Sequence, residues 1–449
     1  MDKRVGVVSL GCDKNRVDTE YMLGFLQRGG FRLVQEPESA QVLIVNTCAF
    51  LEKSREEAID TVLEMAQYKQ GGCEKLIVTG CLPQRFYGEL EDAIPEVDAY
   101  LGINDYPRVC EVIESLYANT YRHRIAPANP GFEPGARVLT TPEHFAYLKI
   151  ADGCNNCCSY CLIPKIRGSY RSRPEADILA EARALADRGV RELILVAQDL
   201  TYYGYDLNRT YLLPGLLRAL CRIPGIEWIR LLYCYPERVS DELIDVIASE
   251  EKILKYLDIP LQHVSDRVLS SMRRRSNGTE IRALFQRLRG RIPGIVIRTT
   301  FIVGYPGETE EDVQELIEFL EEYRPENAGF FTYSREEGTR AFDLPDQIPE
   351  EIKIDRLARV QRLQQAIFFK RLKALKGTRQ IVLADGADFD RQAFYGRTYA
   401  MAPEIDSVVW LNSKEPIDSG AFYTVEITGA EDFDLHGEIL GVHPQREEN

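Results

Sequence analysis

The chain has 449 residues, 45% of them hydrophobic and 28% charged, which is the composition of a globular protein with two to four domains. No apolar run approaches the roughly 20 residues that span a bilayer, and the N-terminal MDKRVGVVSLGC lacks a signal-peptide hydrophobic region. We therefore expect a cytoplasmic protein with no membrane partner. The formal net charge of −15 disfavours a nucleic-acid binder held by phosphate contacts.

Three short apolar runs near the N-terminus each lead to a cysteine. VGVVSL precedes Cys12, VLIVNT precedes Cys48 and KLIVTG precedes Cys81, with helical patterns such as 54–67 between them. Runs rich in β-branched residues form parallel strands that are buried on both faces. Because ligands bind beyond the carboxyl ends of such strands, these three cysteines are predicted to converge at one sheet edge.

Residues 125–142 contain four prolines and two glycines, which is typical of a linker or a wrapping segment. Strand and helix patterns then alternate. Helical patterns such as 175–188, 240–249 and 310–322 separate six candidate strands: 145–151, 193–198, 228–233, 256–260, 295–304 and 329–333. Six such units predict a full or partial parallel barrel with its chemistry at the carboxyl ends of the strands.

A long helix is predicted over 350–376, closed by Gly377. The short runs QIVLAD, SVVWLN and FYTVEITGA follow it and predict a five-stranded β-barrel. Residues 377–449 hold 14 Asp and Glu but only 5 Lys and Arg. This acidic region is expected to repel phosphate backbones and attract basic protein segments, although simple solubilisation is an open alternative.

The sharpest motif is Cys154, Cys158 and Cys161, spaced Cys-x3-Cys-x2-Cys directly after a strand. Three thiolates on one loop can ligate three irons of a [4Fe–4S] cluster and leave the fourth open. With Tyr160 before the last cysteine, the motif resembles the radical S-adenosylmethionine superfamily, which implies S-adenosylmethionine at the open iron and Tyr160 beside its adenine. A second register, through Cys157 instead of Cys158, is possible. We favour the first because it keeps the aromatic residue in the superfamily's place.

Cys12, Cys48 and Cys81 are predicted to hold a second three-ligand cluster. A single cysteine at a strand end is usually a small core residue, but three cysteines in equivalent positions favour joint binding of one cluster. Eleven cysteines in a reducing compartment are not read as disulfides. The remaining cysteines outside the second motif are predicted to be structural: Cys73, Cys110, Cys221 and Cys234.

The order of these regions resembles the methylthiotransferase family over essentially the whole chain, and the family's small barrel is called the TRAM domain. The resemblance implies an α/β protein with an N-terminal βαβ parallel-sheet domain and a central partial (βα)6 radical S-adenosylmethionine barrel, followed by the five-stranded TRAM barrel. The corresponding boundaries are 1–124 for the N-terminal cluster domain, 125–142 for the linker, 143–376 for the core and 377–449 for the TRAM domain.

Residues 197–204, 256–263 and 396–406 resemble the branch that modifies an aspartate of ribosomal protein S12. This implies methylthiolation of the aspartate β-carbon with two [4Fe–4S] clusters and two S-adenosylmethionine molecules. One molecule methylates a sulfur at the N-terminal cluster, and the other yields the 5′-deoxyadenosyl radical. A tRNA adenosine methylthiotransferase remains the alternative. An iron–sulfur carrier and a ribosome-binding protein with structural clusters are rivals from other classes.

Further cofactor contacts are predicted at Gln198, for the methionine group, and at Gly304, for adenine, although a turn glycine explains Gly304 nearly as well. No catalytic residue is expected beyond the cluster ligands, since hydrogen abstraction by a radical needs no strong base. His263 is predicted to be structural or to contact substrate. Arg273–Arg275 is predicted to be a solvated face, with docking of an electron donor such as flavodoxin as the alternative.

Overall fold

The computed structural model describes residues 3–122, 125–127, 136–413 and 416–444. Contacts divide the chain into two compact units. Unit 1 comprises Met1–Thr140, Ala151–Arg173 and Ser334–Phe342, and unit 2 comprises Thr141–Ile150, Pro174–Tyr333 and Asp343–Asn449. Both cysteine triads therefore belong to unit 1. Within the described ranges, no helix has the length and apolar character needed to cross a membrane.

The strands and helices are named here in chain order. They are β1 (Arg4–Ser9), α1 (Asp13–Arg28), β2 (Arg32–Val34), β3 (Val42–Thr47), α2 (Glu52–Gln67), β4 (Lys75–Gly80), α3 (Cys81–Ala93), β5 (Ala99–Tyr100), α4 (Val109–Tyr117), β6 (Phe145–Lys149), β7 (Ala151–Asp152), α5 (Ile163–Ile166), β8 (Arg171–Ser172), α6 (Glu175–Asp187), β9 (Glu192–Val196), α7 (Tyr205–Asn208), α8 (Leu213–Cys221), β10 (Trp228–Leu231), α9 (Asp241–Ser249), β11 (Ile253–Gln262), α10 (Asp266–Ser271), α11 (Gly278–Arg291), β12 (Val296–Val303), α12 (Glu310–Tyr323), β13 (Asn327–Thr332), α13 (Glu350–Ala374), β14 (Arg379–Asp388), β15 (Ala393–Arg397), β16 (Val409–Asn412), β17 (Phe422–Glu431) and β18 (Asp434–Val442).

Unit 1 is built on a parallel sheet in the order β2-β1-β3-β4-β5. Every residue of β3 is buried, as expected for a strand covered on both faces. The described end of the predicted linker packs on α1, where the Val138 N–H donates to the Glu20 carbonyl at 3.1 Å and the Thr140 N–H donates to the Glu20 carboxylate at 2.8 Å. This part wraps the unit, and residues 128–135 lie outside the described ranges.

The core of unit 2 is a parallel sheet in the order β6-β9-β10-β11-β12-β13, which is the chain order. Helices follow most of its strands, and aromatic side chains join the two layers. The ring centroid of Phe319 on α12 lies 5.3 Å from that of Phe285 on α11 and 6.2 Å from that of Phe301 on β12. The predicted α/β class with a partial (βα)6 barrel is confirmed.

The C-terminal strands form a closed barrel in the order β14-β15-β16-β18-β17, which confirms the predicted five-stranded barrel. Its interior is apolar, with Val382, Val409, Val425 and Leu435 fully buried. Gly437 has no side chain where a Cβ would lie 2.3 Å from Val425 Cγ1, so β18 can lie close to Val425 of the neighbouring strand β17.

A buried ionic layer within unit 2 attaches this barrel to the core sheet. Arg397 of β15 donates to Glu192 at 2.6 Å and to Asp385 at 2.7 Å. Glu192 also accepts from Arg230 at 2.7 Å, and Asp385 contacts His144 at 2.8 Å. His144 precedes β6 and Glu192 begins β9, so the C-terminal barrel lies at the amino ends of these strands. The chemistry of a parallel βα core is expected at the opposite, carboxyl ends of its strands.

Replacing Arg397 with methionine is expected to lower the free energy of unfolding of unit 2 by about 3–5 kcal/mol, since two buried carboxylates lose their shared cation. Both tryptophans of the chain, Trp228 and Trp410, lie in unit 2, so urea denaturation followed by tryptophan fluorescence reports on this unit. Arg391→Met is the control, because Arg391 stacks on Trp410 at the barrel surface. Equal urea midpoints for the two variants would contradict the prediction.

Candidate functional site

The three N-terminal cysteines lie at the carboxyl edge of the sheet in unit 1. Cys12 occupies the position before the first residue of α1, Cys48 directly follows β3 and Cys81 is the first residue of α3 after β4. Their exposure falls along this series, from exposed Cys12 through half-buried Cys48 to buried Cys81. The parallel register brings three successive strand ends to one edge, as the sequence predicts.

Two glycines allow these cysteine-bearing turns to approach one another. Gly80 has a φ of +100°, and a Cβ there would lie 2.4 Å from Asn46 Oδ1 and 2.5 Å from the Thr47 carbonyl oxygen. Gly11 has a φ of +90°, and its Cβ would lie 2.9 Å from Cys48 Cβ. Both positions require a left-handed backbone and close contact, which only glycine provides without strain.

Gly80→Ala is expected to destabilise this edge by at least about 1–2 kcal/mol, the cost of a side chain in the left-handed region. The added methyl group also displaces the Thr47 backbone beside Cys48. Native-state hydrogen exchange at the β3 and β4 amides measures the change. Gly88→Ala on α3, where a Cβ meets nothing within 4 Å, is the control. Equal protection in the two variants would refute this account of Gly80.

A network of side-chain amides holds the turns that carry Cys12 and Cys48. Asn15 Nδ2 donates to the carbonyls of Leu10 at 2.9 Å and Thr47 at 3.1 Å. Asn46 Nδ2 donates to the Asn15 carbonyl at 3.0 Å and to Thr19 Oγ1 at 2.7 Å. The Asn15 amide thus satisfies carbonyls at the ends of β1 and β3, and the Asn46 amide ties β3 to α1, so the first and second cysteine turns are held rigidly.

The thiols of this triad lie close enough to influence one another's ionisation. Burial raises the pKa of Cys81 to about 12, and charges on Cys48 and Cys12 act in the same direction. Burial also raises the pKa of Cys48, again with a contribution from Cys12. The Arg167 guanidinium opposes both shifts. Thiols of this kind become ligands when a bound cation displaces their protons to solvent.

The second triad sits on a loop that closes on itself. Ala151 and Asp152 of β7 pair with Ser172 and Arg171 of β8. The Cys154 N–H donates to the Gly168 carbonyl at 3.1 Å, and a Cβ on Gly153 would lie 2.2 Å from the Ser169 carbonyl oxygen. The loop is thus a compact support whose two ends are fixed together.

The sulfur atoms of this loop receive backbone donors. The Asn156 N–H lies 3.5 Å from Cys154 Sγ, and the Ile163 N–H donates to Cys161 Sγ at 3.4 Å. Cys154 and Cys158 are buried, whereas Cys157 is exposed and has a φ of +54°. The arrangement favours the register through Cys158. Hydrogen bonds to sulfur tune iron–sulfur ligands, so the loop suits a cluster.

Arg167 connects the two cysteine sites inside unit 1. Its Nη1 lies 3.0 Å from Asp18 Oδ2 and 3.1 Å from Asp152 Oδ2, and its Nη2 donates to Asn15 Oδ1 at 3.2 Å. Asn15 and Asp18 lie on α1, which begins after Cys12. Burial opposes the charge of Arg167, but Asp152 and Asp18 outweigh it and hold its pKa well above the ordinary value.

Ser334–Phe342 contributes a third contact within unit 1. The Glu336 carboxylate accepts from the Glu52 N–H at 2.9 Å, from Arg85 at 3.2 Å and from Arg55. Glu52 begins α2 shortly after Cys48. The Ala341 N–H donates to the carbonyl of Ser159, which lies between Cys158 and Tyr160, at 2.8 Å. One segment therefore holds elements of both cysteine sites.

In unit 2, Gln198 lies just beyond the carboxyl end of β9. Both polar atoms of its amide are buried and have no hydrogen-bond partner among the described residues. The next residue is fixed, because Asp199 pairs with Arg238 at 2.7 Å. A buried amide without partners is costly, so Gln198 fits a polar ligand such as the predicted methionine group.

Gly304, His263 and Arg274, the other predicted positions in unit 2, make contacts within the fold. Gly304 has a φ of +73°, its Cβ position is filled by the Lys353 side chain at 2.3 Å, and its N–H donates to Glu308 at 2.7 Å. His263 is fully buried and contacts Glu308 at 3.2 Å. The prediction that all of Arg273–Arg275 is a solvated face is wrong: Arg274 is buried and donates to the Pro260 carbonyl at 2.9 Å, because its guanidinium stacks on Tyr235.

Within the described ranges, no three His, Cys, Asp or Glu side chains are grouped to hold a single metal ion. A four-iron cluster has different needs, since each thiolate binds a different iron atom. Sequence reasoning missed Arg167, Asn15 and Glu336. The only local signal was the arginine directly after the second loop, in IPKIRG.

Known families match the chain in the predicted order. The Uncharacterized protein family UPF0004 matches residues 4–102, the Radical SAM superfamily matches residues 148–320 and the TRAM domain matches residues 377–440.

Two curated relatives match over nearly the whole chain. A protein of Clostridium kluyveri is 47% identical, covering 98% of this chain and 99% of its own. One of Anaeromyxobacter sp. is 48% identical, covering 99% and 94%. Both carry the name ribosomal protein uS12 methylthiotransferase RimO.

Solved structures share the fold at low identity. TsrM from Kitasatospora setae, a radical S-adenosylmethionine methyltransferase, superposes with a TM-score of 0.57 at 15% identity, covering 86% of this chain and 79% of its own. OxsB, a cobalamin-dependent S-adenosylmethionine radical enzyme, gives 0.52 at 12% identity, covering 81% and 56%. At these identities the likeness shows the fold alone.

Proposed function

The chain belongs to the family of ribosomal protein uS12 methylthiotransferases, radical S-adenosylmethionine enzymes, and on this premise we propose that it transfers a methylthio group to the β-carbon of an aspartate of ribosomal protein S12. The observation that supports the proposal most is the presence of two three-cysteine sites in one compact unit, joined through Arg167. An iron–sulfur carrier does not require the six-stranded core. A protein that only binds the ribosome does not require a buried amide without partners, such as that of Gln198.

We assign one [4Fe–4S] cluster to Cys12, Cys48 and Cys81 and a second to Cys154, Cys158 and Cys161. When bound, the first supplies a site for the sulfur that one S-adenosylmethionine methylates, and the second supplies the electron that cleaves another S-adenosylmethionine. Each triad leaves one iron without a protein ligand, which is the position that an exogenous group needs.

In this proposal the chain's own residues bind and orient S-adenosylmethionine. The free amide of Gln198 offers a donor and an acceptor to the methionine group, and Tyr160 offers a ring to the adenine. The Gly304 N–H donates to Glu308, and this glycine lets the chain turn directly after β12. No side chain is assigned as general base, because hydrogen abstraction does not deprotonate the substrate.

Ribosomal protein S12 is the proposed partner, free or on the small subunit, in the cytoplasm. The acidic C-terminal region suits a basic ribosomal protein and opposes tRNA. The alternative, a tRNA adenosine methylthiotransferase, calls for a basic barrel.

Electrons come from a donor such as flavodoxin, for which exposed Arg273 and Arg275 offer positive charge. The sequence domains 1–124, 125–142, 143–376 and 377–449 are retained as functional regions.

Mass spectrometry of two parallel reactions tests the proposal. Anaerobically reconstituted enzyme receives dithionite and S-adenosylmethionine and is offered either S12 or bulk tRNA. We expect one methylthio group on an S12 aspartate and unmodified tRNA, with no product when S-adenosylmethionine is omitted. An adduct on tRNA alone would overturn the substrate assignment, and no adduct on either would overturn the activity.

A further inference from the structure

Arg167 lies at the junction of the two cysteine triads and is only 2% exposed. It follows α5 directly, and its neighbour Gly168 accepts the Cys154 N–H. Its guanidinium contacts Asn15 and Asp18, three and six residues beyond Cys12, and Asp152, two residues before Cys154. One side chain is thus fixed to the helix that starts at one triad and to the loop that carries the other.

Arg167 pairs with buried carboxylates on both sides. Its guanidinium lies against Asp18 of α1 and Asp152 of β7. Its contact with Asn15 reaches the N-terminal triad, because the Asn15 amide donates to the carbonyls of Leu10 and Thr47, beside the turns that carry Cys12 and Cys48. A cluster at that triad is held by three thiolates, of which Cys81 is buried, and reducing the cluster adds a further electron. In a medium of low dielectric constant a nearby cation then matters strongly.

We propose that Arg167 is a positioning residue that docks the Cys154–Cys161 loop onto α1 and stabilises the reduced state of the cluster held by Cys12, Cys48 and Cys81. The inference rests on the proposed function, because it assumes a cluster at the N-terminal triad. Charged groups outside the ligand shell tune the potential and affinity of a metal centre.

The test isolates the N-terminal triad. In the full-length chain, Cys154, Cys158 and Cys161 are replaced by alanine so that iron binds at the other site alone. Arg167→Met, Arg167→Lys and Asp18→Asn are added separately. Arg137→Met is the matched control, because Arg137 is equally buried and pairs with Glu20 on the same helix. Iron retention against a chelator and the reduction midpoint, followed by electron paramagnetic resonance, are measured.

Arg167→Met is expected to shift the midpoint to a more negative potential and to weaken iron retention about 10- to 100-fold. Arg167→Lys keeps the charge and therefore the midpoint. Asp18→Asn removes a negative charge and shifts the midpoint in the opposite, positive direction. This isosteric change keeps the test decisive even where Arg167→Met does not fold. Arg137→Met leaves both quantities unchanged.

The proposal is overturned if Asp18→Asn leaves the midpoint unmoved, or if Arg137→Met reproduces the effects of Arg167→Met. Absence of iron in the background without any Arg167 change is a separate result. It would overturn the cluster assignment of the proposed function.

Discussion

Replacing Cys158 with serine is expected to abolish methylthiolation, whereas replacing Cys157 with serine leaves the rate within about twofold of the wild type, as surface substitutions usually do. The two residues are adjacent in sequence but differ in environment, since Cys158 is buried on the closed loop and Cys157 is exposed. Serine retains the shape of cysteine without the soft thiolate that iron–sulfur clusters require.

The loss at Cys158 is expected to be at least about a thousandfold in kcat, the scale seen when a residue central to the chemistry is removed. Product formation on S12 and iron content per chain are measured together for both variants. The two variants control for each other, because each replaces a cysteine sulfur with oxygen and the two positions are adjacent. An inactive Cys157→Ser enzyme with an active Cys158→Ser enzyme would establish the alternative register, Cys154, Cys157 and Cys161.

Replacing Cys12 with serine is expected to separate the two half-reactions. Methylthio product falls at least about a thousandfold, while cleavage of S-adenosylmethionine to 5′-deoxyadenosine continues, because the ligands of the second cluster are intact. Cys12 stands at the cap position of α1 and makes no capping hydrogen bond. Serine is a preferred cap residue, so loss of product cannot be attributed to unfolding of this helix.

Chromatography of 5′-deoxyadenosine and mass spectrometry of S12 from the same reaction measure both quantities. Cys110→Ser is the control, since Cys110 also lies in unit 1 but its Sγ contacts only the Phe25 carbonyl in the hydrogen bonds described, at 3.3 Å. Simultaneous loss of 5′-deoxyadenosine and product in Cys12→Ser would contradict independent roles for the two triads.

Sequence patterns predicted the elements that carry strong apolar runs. The predicted strands 42–47 and 75–80 coincide with β3 and β4, because β-branched residues fill both faces of these strands. The pattern at 256–260 missed the start of β11 at Ile253, where pairing with Ile229 of β10 extends the strand. β15 and β18 were not among the apolar runs, since glycines such as Gly396 and Gly437 interrupt them at close contacts inside the barrel.

The cysteine spacing was enough to predict both triads, because the cysteines of one loop are close in sequence and strand ends follow a regular repeat. The groups around them could not be found in this way. Arg167 and Asp18 are 149 residues apart in the chain, and no local pattern distinguishes a buried arginine from an exposed one. Arg274 shows the same difficulty, since an Arg-Arg-Arg run predicts a solvated surface but its middle residue stacks on Tyr235.

The contacts of Glu336 determine when unit 1 is completed during synthesis. Its partners Arg55 and Arg85 precede it by 281 and 251 residues, and the Cys154–Cys161 loop must also be in place. The ribosome therefore releases the first cysteine turns long before the residues that enclose them. Contacts of such long range form late in folding. Unit 1 is thus complete only after residue 342 has been synthesised, although its first cysteine turn lies at residue 12.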